Sequence, residues 1–216
     1  MLAVTLATHA VLTTWWEVRW LAGEDRLVEW VTVGLFVMAA VASVLNARAL
    51  RRLGHRRLGL FHALLAALFL FVALEEISWG QRIFDWSTPE AISSINYQNE
   101  TTIHNLSNFD RVSNSMTVVA AVLATAGGLV RLALHLMRRV TTADLILPSL
   151  VLVPALLLIV AWNAGGEPWR ELADAVGPRP VGDEAPELLT GLCVVLYSWV
   201  VLTKVRALGH REPLAD

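Results

Sequence analysis

A chain of 216 residues, 56% of them hydrophobic and 17% charged, with a mean hydropathy of +0.55, is no ordinary soluble domain; charged residues there approach roughly a quarter of the composition. The formal net charge of −2 excludes little, because the placement of the charges carries the information. One cysteine, Cys193, excludes an internal disulfide and a cysteine-built metal cage.

A membrane-crossing helix needs roughly 20 mainly apolar residues. In chain order the candidates are 2–18, which is short and carries His9, then 27–47, 58–77, 115–137, 145–163 and 187–205. The opening residues lack the basic start and small-residue cleavage site of a signal peptide. Gly127-Gly128 in the fourth span predicts close helix packing, and Pro148 and Pro154 predict a kink in the fifth. The expected fold class is all-α: a polytopic integral membrane protein of about six transmembrane helices, one domain over 1–216. A short interfacial helical segment is expected between spans three and four, inside an exported loop, 78–114, that carries the candidate site.

Basic residues mark the cytoplasmic side of a membrane protein. Arg48, Arg51, Arg52, Arg56 and Arg57 crowd one loop, Arg131, Arg138 and Arg139 flank the end of the fourth span, and Lys204, Arg206 and Arg211 follow the sixth. With six spans these fall on one side, together with only Asp144, Glu212 and Asp216 among the acidic residues. Both termini are therefore expected in the cytoplasm, with the chain in the cell inner (plasma) membrane. Trp15, Trp16, Trp20, Trp30, Trp79, Trp86, Trp162 and Trp169 then lie near exported span ends, where indoles favour the interface.

The third span ends in Glu75-Glu76, followed by Ile-Ser-Trp-Gly-Gln-Arg82. Carboxylates at a membrane boundary are costly unless paired, hydrated or metal-bound. If the helix continues past Glu76, Glu75, Ser78, Trp79 and Arg82 share one face. Ser87-Thr88-Pro89-Glu90 predicts a helix start with a hydroxyl cap and an early proline. Beyond it, the four-residue spacing of Glu100 and His104 suits a carboxylate orienting an imidazole, or two ligands of one metal. The candidate catalytic residues are Glu75, Glu76, Ser78, Arg82 and His104; Glu76, Glu100 and His104 are the candidate ligands of a divalent metal ion. Arg82 suits a substrate phosphate or carboxylate. The loop is expected to fold back so that His104 or Glu100 approaches Glu75 or Glu76. Against this stands a plain helix-end ion pair between Glu75 and Arg82. Glu29 opens the second span beside the acidic loop of Glu17, Glu24 and Asp25, and Asn99-Glu-Thr101 and Asn105-Leu-Ser107 match glycosylation acceptors. His62 and His135 read as two separate core or interfacial histidines.

The string Glu75-Glu-Ile-Ser-Trp-Gly-Gln-Arg-Ile-Phe84, with Thr88-Pro-Glu90, His104-Asn105 and the earlier Glu24-Asp-x-x-x-Glu29-Trp30, resembles a group of bacterial multi-span membrane proteins. The resemblance covers mainly residues 24–110; it implies a membrane fold and brings no activity. Glu75-x-x-Ser78 is also similar to the Glu-x-x-Ser start of membrane hydrolases related to alkaline ceramidases. The histidine expected after that serine is missing, and no paired His-x-x-x-His occurs near the end, so the zinc triad of those enzymes does not carry over.

Three classes of function stay open. The first is a membrane-embedded hydrolase or transferase at the exported face, acting on a lipid or lipid-linked substrate. The second is a binding, scaffold or assembly subunit of a membrane complex, and the third a transporter or channel component. The expected partners are the lipid bilayer, that lipid substrate and other membrane proteins, not nucleic acid.

Overall fold

The computed structural model describes residues 27–96, 100–103, 106, 110–136, 145–164 and 184–209. The first expected span, the acidic residues Glu17, Glu24 and Asp25, both glycosylation asparagines, and His104 lie outside the described residues, as do the side chains of Arg82 and His135. All regular structure among the described residues is helical. In chain order it comprises α1 (Leu27–Arg52), α2 (Arg56–Glu76), a 3₁₀ turn (Ser78–Gly80), α3 (Gln81–Phe84) and α4 (Glu90–Ser93). There follow α5 (Asp110–Leu136), a 3₁₀ turn (Leu150–Leu152), α6 (Val153–Ala164) and α7 (Glu184–Gly209). Among the described residues, three helices are long and apolar enough to cross a membrane: Leu27–Arg52, Arg56–Glu76 and Glu187–Gly209. Val119–Leu134 and Leu150–Ala161 are shorter apolar helical stretches.

α1 and α2 form a tight hairpin. Gly54, at φ 85°, ends α1 in the left-handed region that glycine occupies without steric cost. The His55 amide then donates to Leu50 and the Gly54 amide to Arg51, closing the last carbonyls of the helix. Small residues let the helices approach: Gly59 sits against the Ala47 carbonyl and the Arg51 side chain, and Ala39, Ala40, Ala47, Ala66 and Ala73 are buried.

α7 is the central element. Phe36, Ala39 and Ala40 of α1 and Phe69 and Ala73 of α2 form one apolar cluster, with Val194 and Val195 packed on it. Leu50, Leu145, Val201 and Val205 form a second. The third joins Ala121 of α5, Ala155, Leu156 and Ile159 of α6, and Leu189 and Cys193 of α7. The outward faces stay apolar, with Met38, Val41, Leu64 and Leu68 exposed, as hydrocarbon contact requires.

The fifth candidate span is not one kinked helix. Residues 146–149 are non-helical, and α6 starts only at Val153, after the 3₁₀ turn. Pro154 falls in its first turn, where a missing amide hydrogen costs nothing, so the prolines delay the helix instead of bending it. Donors from three helices meet the freed carbonyls. His62 Nε2 lies 3.2 Å from the Leu145 oxygen, Tyr197 donates to Ile146 at 2.9 Å, and Arg131 to Leu147 at 3.3 Å. Non-helical backbone among apolar helices persists only when it is satisfied in this way. Gly127 and Gly128 provide the expected close approach: a Cβ on Gly128 would stand 2.9 Å from Val153.

Candidate functional site

The site starts at the end of α2, where the helix deposits Glu75 and Glu76. Carboxylates there face the negative end of the helix dipole, so they stand against the local electrostatic preference and need partners. The continuous helix expected past Glu76 does not form. Ile77 leaves the helical region, and Ser78, Trp79 and Gly80 follow at φ 49°, 56° and 90°. Left-handed backbone costs roughly 1–2 kcal/mol at each non-glycine residue, so tertiary bonds must hold Ser78 and Trp79 there. Asp85, at φ 53°, ends α3 in the same region.

Those bonds are visible. The Trp79 indole turns back along α2, donates from Nε1 to Glu75 Oε1, and meets the Phe71 ring edge-on at 5.5 Å. The Ser78 hydroxyl points inward, fully buried, and donates to Glu100 Oε2 at 2.8 Å. The Ile103 amide donates to Glu75 Oε2 at 2.8 Å, and the Thr101 amide to Gln81 Oε1 at 2.8 Å. Segment 100–103 is thus tied at three points, to the end of α2, the turn that follows it and the start of α3, so the loop folds back onto Glu75. Glu75 is only 6% exposed despite ending a helix.

Asn96 supports this segment from within. Its amide donates to the Thr102 carbonyl at 3.0 Å, its oxygen accepts the Glu100 amide at 3.3 Å, and its backbone pairs with Leu106 in an isolated antiparallel bridge. Thr102 is almost fully buried beneath it. The short helix expected from Pro89 is present as α4, but its cap differs from the expectation. Pro89 is itself the cap residue, because the Thr88 hydroxyl accepts from the Gln81 amide at 2.9 Å instead. Gln81 therefore joins the Thr88 and Thr101 stretches of the loop.

Of the residues singled out from sequence, the structure brings Glu75, Ser78 and Glu100 together. Glu76 is half-buried beside them in sequence. His104 and the Arg82 side chain lie outside the described residues, so the expected Glu100–His104 and Glu75–Arg82 pairs do too. Among the described residues no group of three His, Cys, Asp or Glu side chains could hold a metal ion. Sequence reasoning missed the roles of Asn96, Thr101 and Thr102, whose only signal is an Asn- and Thr-rich run after α4. Thr101 Oγ1 is buried with no hydrogen-bond partner among the described residues. Ile83, Phe84 and Trp86 are exposed around the turn, with the Phe84 and Trp86 rings stacked at 5.6 Å.

No protein-family model, curated protein or solved structure matches this chain.

Proposed function

We propose that the chain is a membrane-embedded hydrolase or transferase acting at the exported face of the inner membrane on a lipid or lipid-linked substrate. In this reading it has six spans and cytoplasmic termini. The observation that carries it is the 2.8 Å hydrogen bond from Ser78 to Glu100, made on a turn of successive left-handed residues. A hydroxyl bonded to a carboxylate is a nucleophile with its base already placed, and left-handed non-glycine residues cluster at functional sites because surrounding structure must hold them. Glu100 takes the Ser78 proton as Oγ attacks an acyl or phosphoryl centre, and returns it to the leaving oxygen. The Thr101 hydroxyl, without a partner among the described residues, is a ready hydrogen-bond donor to substrate. Arg82 is assigned the substrate phosphate or carboxylate, and Glu76 and His104 the remaining acid–base work. Ser78 is buried under segment 100–103, so substrate access requires that segment to lift.

The test pairs a fluorophosphonate probe with turnover of labelled phospholipids in proteoliposomes. Wild type should label and turn over, Ser78→Ala should do neither, and Glu100→Gln should lose most of both, because general-base assistance is worth roughly 10²- to 10⁴-fold. Wild type that neither labels nor turns over refutes the reading, as does a Ser78→Ala variant with full activity.

A second reading, an assembly subunit, is favoured by the exposed ridge of Ile83, Phe84 and Trp86, with Phe84 70% exposed. Large exposed apolar side chains around a structured turn suit a protein or bilayer surface. A purified, monodisperse chain with turnover and no partner counts against it.

A further inference from the structure

About 20 Å from Glu75 along α2, at 1.5 Å per residue, three helices bring polar side chains to one level. The hydroxyls of Ser43 and Ser198 share a hydrogen bond of 3.1 Å, and Asn46 Nδ2 donates to the Ser198 carbonyl at 3.0 Å. The His62 ring stacks on Tyr197 with centroids 6.2 Å apart. Gly59 packs on Ala47 and Arg51, which fixes the register of the α1–α2 hairpin. His62, just under one turn further along α2, therefore lies level with Ser43 and Asn46. Ser43, Asn46, His62 and Ser198 are all fully buried. Apolar clusters close the layer on both sides, one around Phe36 and Phe69, the other around Leu50 and Val201.

Donors and acceptors in this layer do not balance. His62 Nε2 faces the Leu145 carbonyl, which can only accept, so Nε2 carries the hydrogen and Nδ1 of the neutral ring is an acceptor. Nδ1 has no partner among the described residues, and neither has Asn46 Oδ1, also an acceptor. Reversing the Asn46 amide would set its oxygen against the Ser198 carbonyl, so that orientation is fixed by the hydrogen bond it makes. The Ser43–Ser198 bond uses one of two hydroxyl hydrogens and leaves one over. Two orphan acceptors and one spare donor remain, walled by apolar side chains.

We infer that this layer is the binding site of one water molecule. Water donates one hydrogen to His62 Nδ1 and the other to Asn46 Oδ1, and accepts the spare hydroxyl hydrogen of the serine pair. Three bonds of this kind are what a buried water ordinarily makes. A metal cation fits less well, because the Arg131 guanidinium bonds the Leu147 carbonyl, two residues from the carbonyl that His62 holds. The site is independent of the chemistry proposed at Ser78.

The test is solid-state NMR of the full isotope-labelled chain in phospholipid vesicles. The expected result is a neutral His62 ring protonated at Nε2, with a cross-peak between bound water and the ring. Asn46→Leu removes one of the water's acceptors and fills its space, so the cross-peak should fall roughly fivefold or more while the tautomer stays. A wild-type spectrum with no water at His62, with Nδ1 protonated, or with an imidazolium overturns the inference. So does an undiminished cross-peak in Asn46→Leu. If that variant fails to reconstitute, the wild-type tautomer and water contact decide the matter alone.

Discussion

Replacing Glu75 by alanine removes the acceptor of two hydrogen bonds, from the Trp79 indole and the Ile103 amide. A hydrogen bond to a charged group contributes roughly 1.5–3 kcal/mol, so the pair could supply up to about 6. Trp79 and Ile103 are each a little over a third exposed, at 37% and 39%, so water recovers part of the loss. The expected effect is about 2–3 kcal/mol, felt locally, since the helices do not depend on these bonds. At tenfold for each 1.4 kcal/mol, amide exchange at Ile103 and its neighbours should rise about 30- to 150-fold. Exchange in α1 and α7 should stay unchanged. Glu75→Gln keeps one acceptor oxygen and should fall between wild type and alanine. Hydrogen–deuterium exchange read by mass spectrometry on reconstituted protein makes the measurement. Equal exchange at 100–103 in wild type and Glu75→Ala would show that the carboxylate does not hold the loop, and the account of the strained turn would fall with it.

Tyr197→Phe leaves the Ile146 carbonyl without its donor and should lower thermal stability in detergent by about 1–3 kcal/mol; an unchanged melting curve refutes that role. Gly128→Leu places a branched side chain where even a Cβ stands 2.9 Å from Val153, and should separate α5 from α6, seen as aggregation on size exclusion. Gly128→Ala should be far milder, because the opposing Val153 methyl is a side-chain end that can shift. His55→Cys, at the exposed turn between α1 and α2, should react with an impermeant label only after cells are opened; reaction from outside intact cells overturns the proposed orientation.

The spans expected at 27–47, 58–77 and 187–205 correspond to α1, α2 and α7, and the hairpin turn falls at Gly54 within the basic loop. Long apolar runs with arginines at their ends are strong one-dimensional signals, which is why these were legible. The break at Ile77 was not. Glu75-x-x-Ser78-Trp79-x-x-Arg82 has helical spacing, and neither serine nor tryptophan favours left-handed backbone. Residues 22 to 28 positions away impose it, through Glu100 on Ser78 and Ile103 on Glu75. Thr88 failed as a cap for a similar reason, since Gln81 competes for its hydroxyl. The return of the loop to Glu75 was foreseeable from the cost of a boundary carboxylate, but the Ile103 amide that meets it was not, because backbone donors are invisible in side-chain motifs. Pro148 and Pro154 signalled irregularity without saying whether it would bend the helix or postpone it.

The carbonyls of Leu145, Ile146 and Leu147 are held by side chains from three helices, and Tyr197 belongs to the last of them. During synthesis, α2 and α5 precede this segment and α7 follows it, so the Ile146 carbonyl is made before its partner exists. A chain that ends after α6 therefore lacks the Tyr197 hydroxyl that holds this carbonyl. Arrival of α7 then acts as a clasp that completes the hold on a segment already gripped by His62 and Arg131.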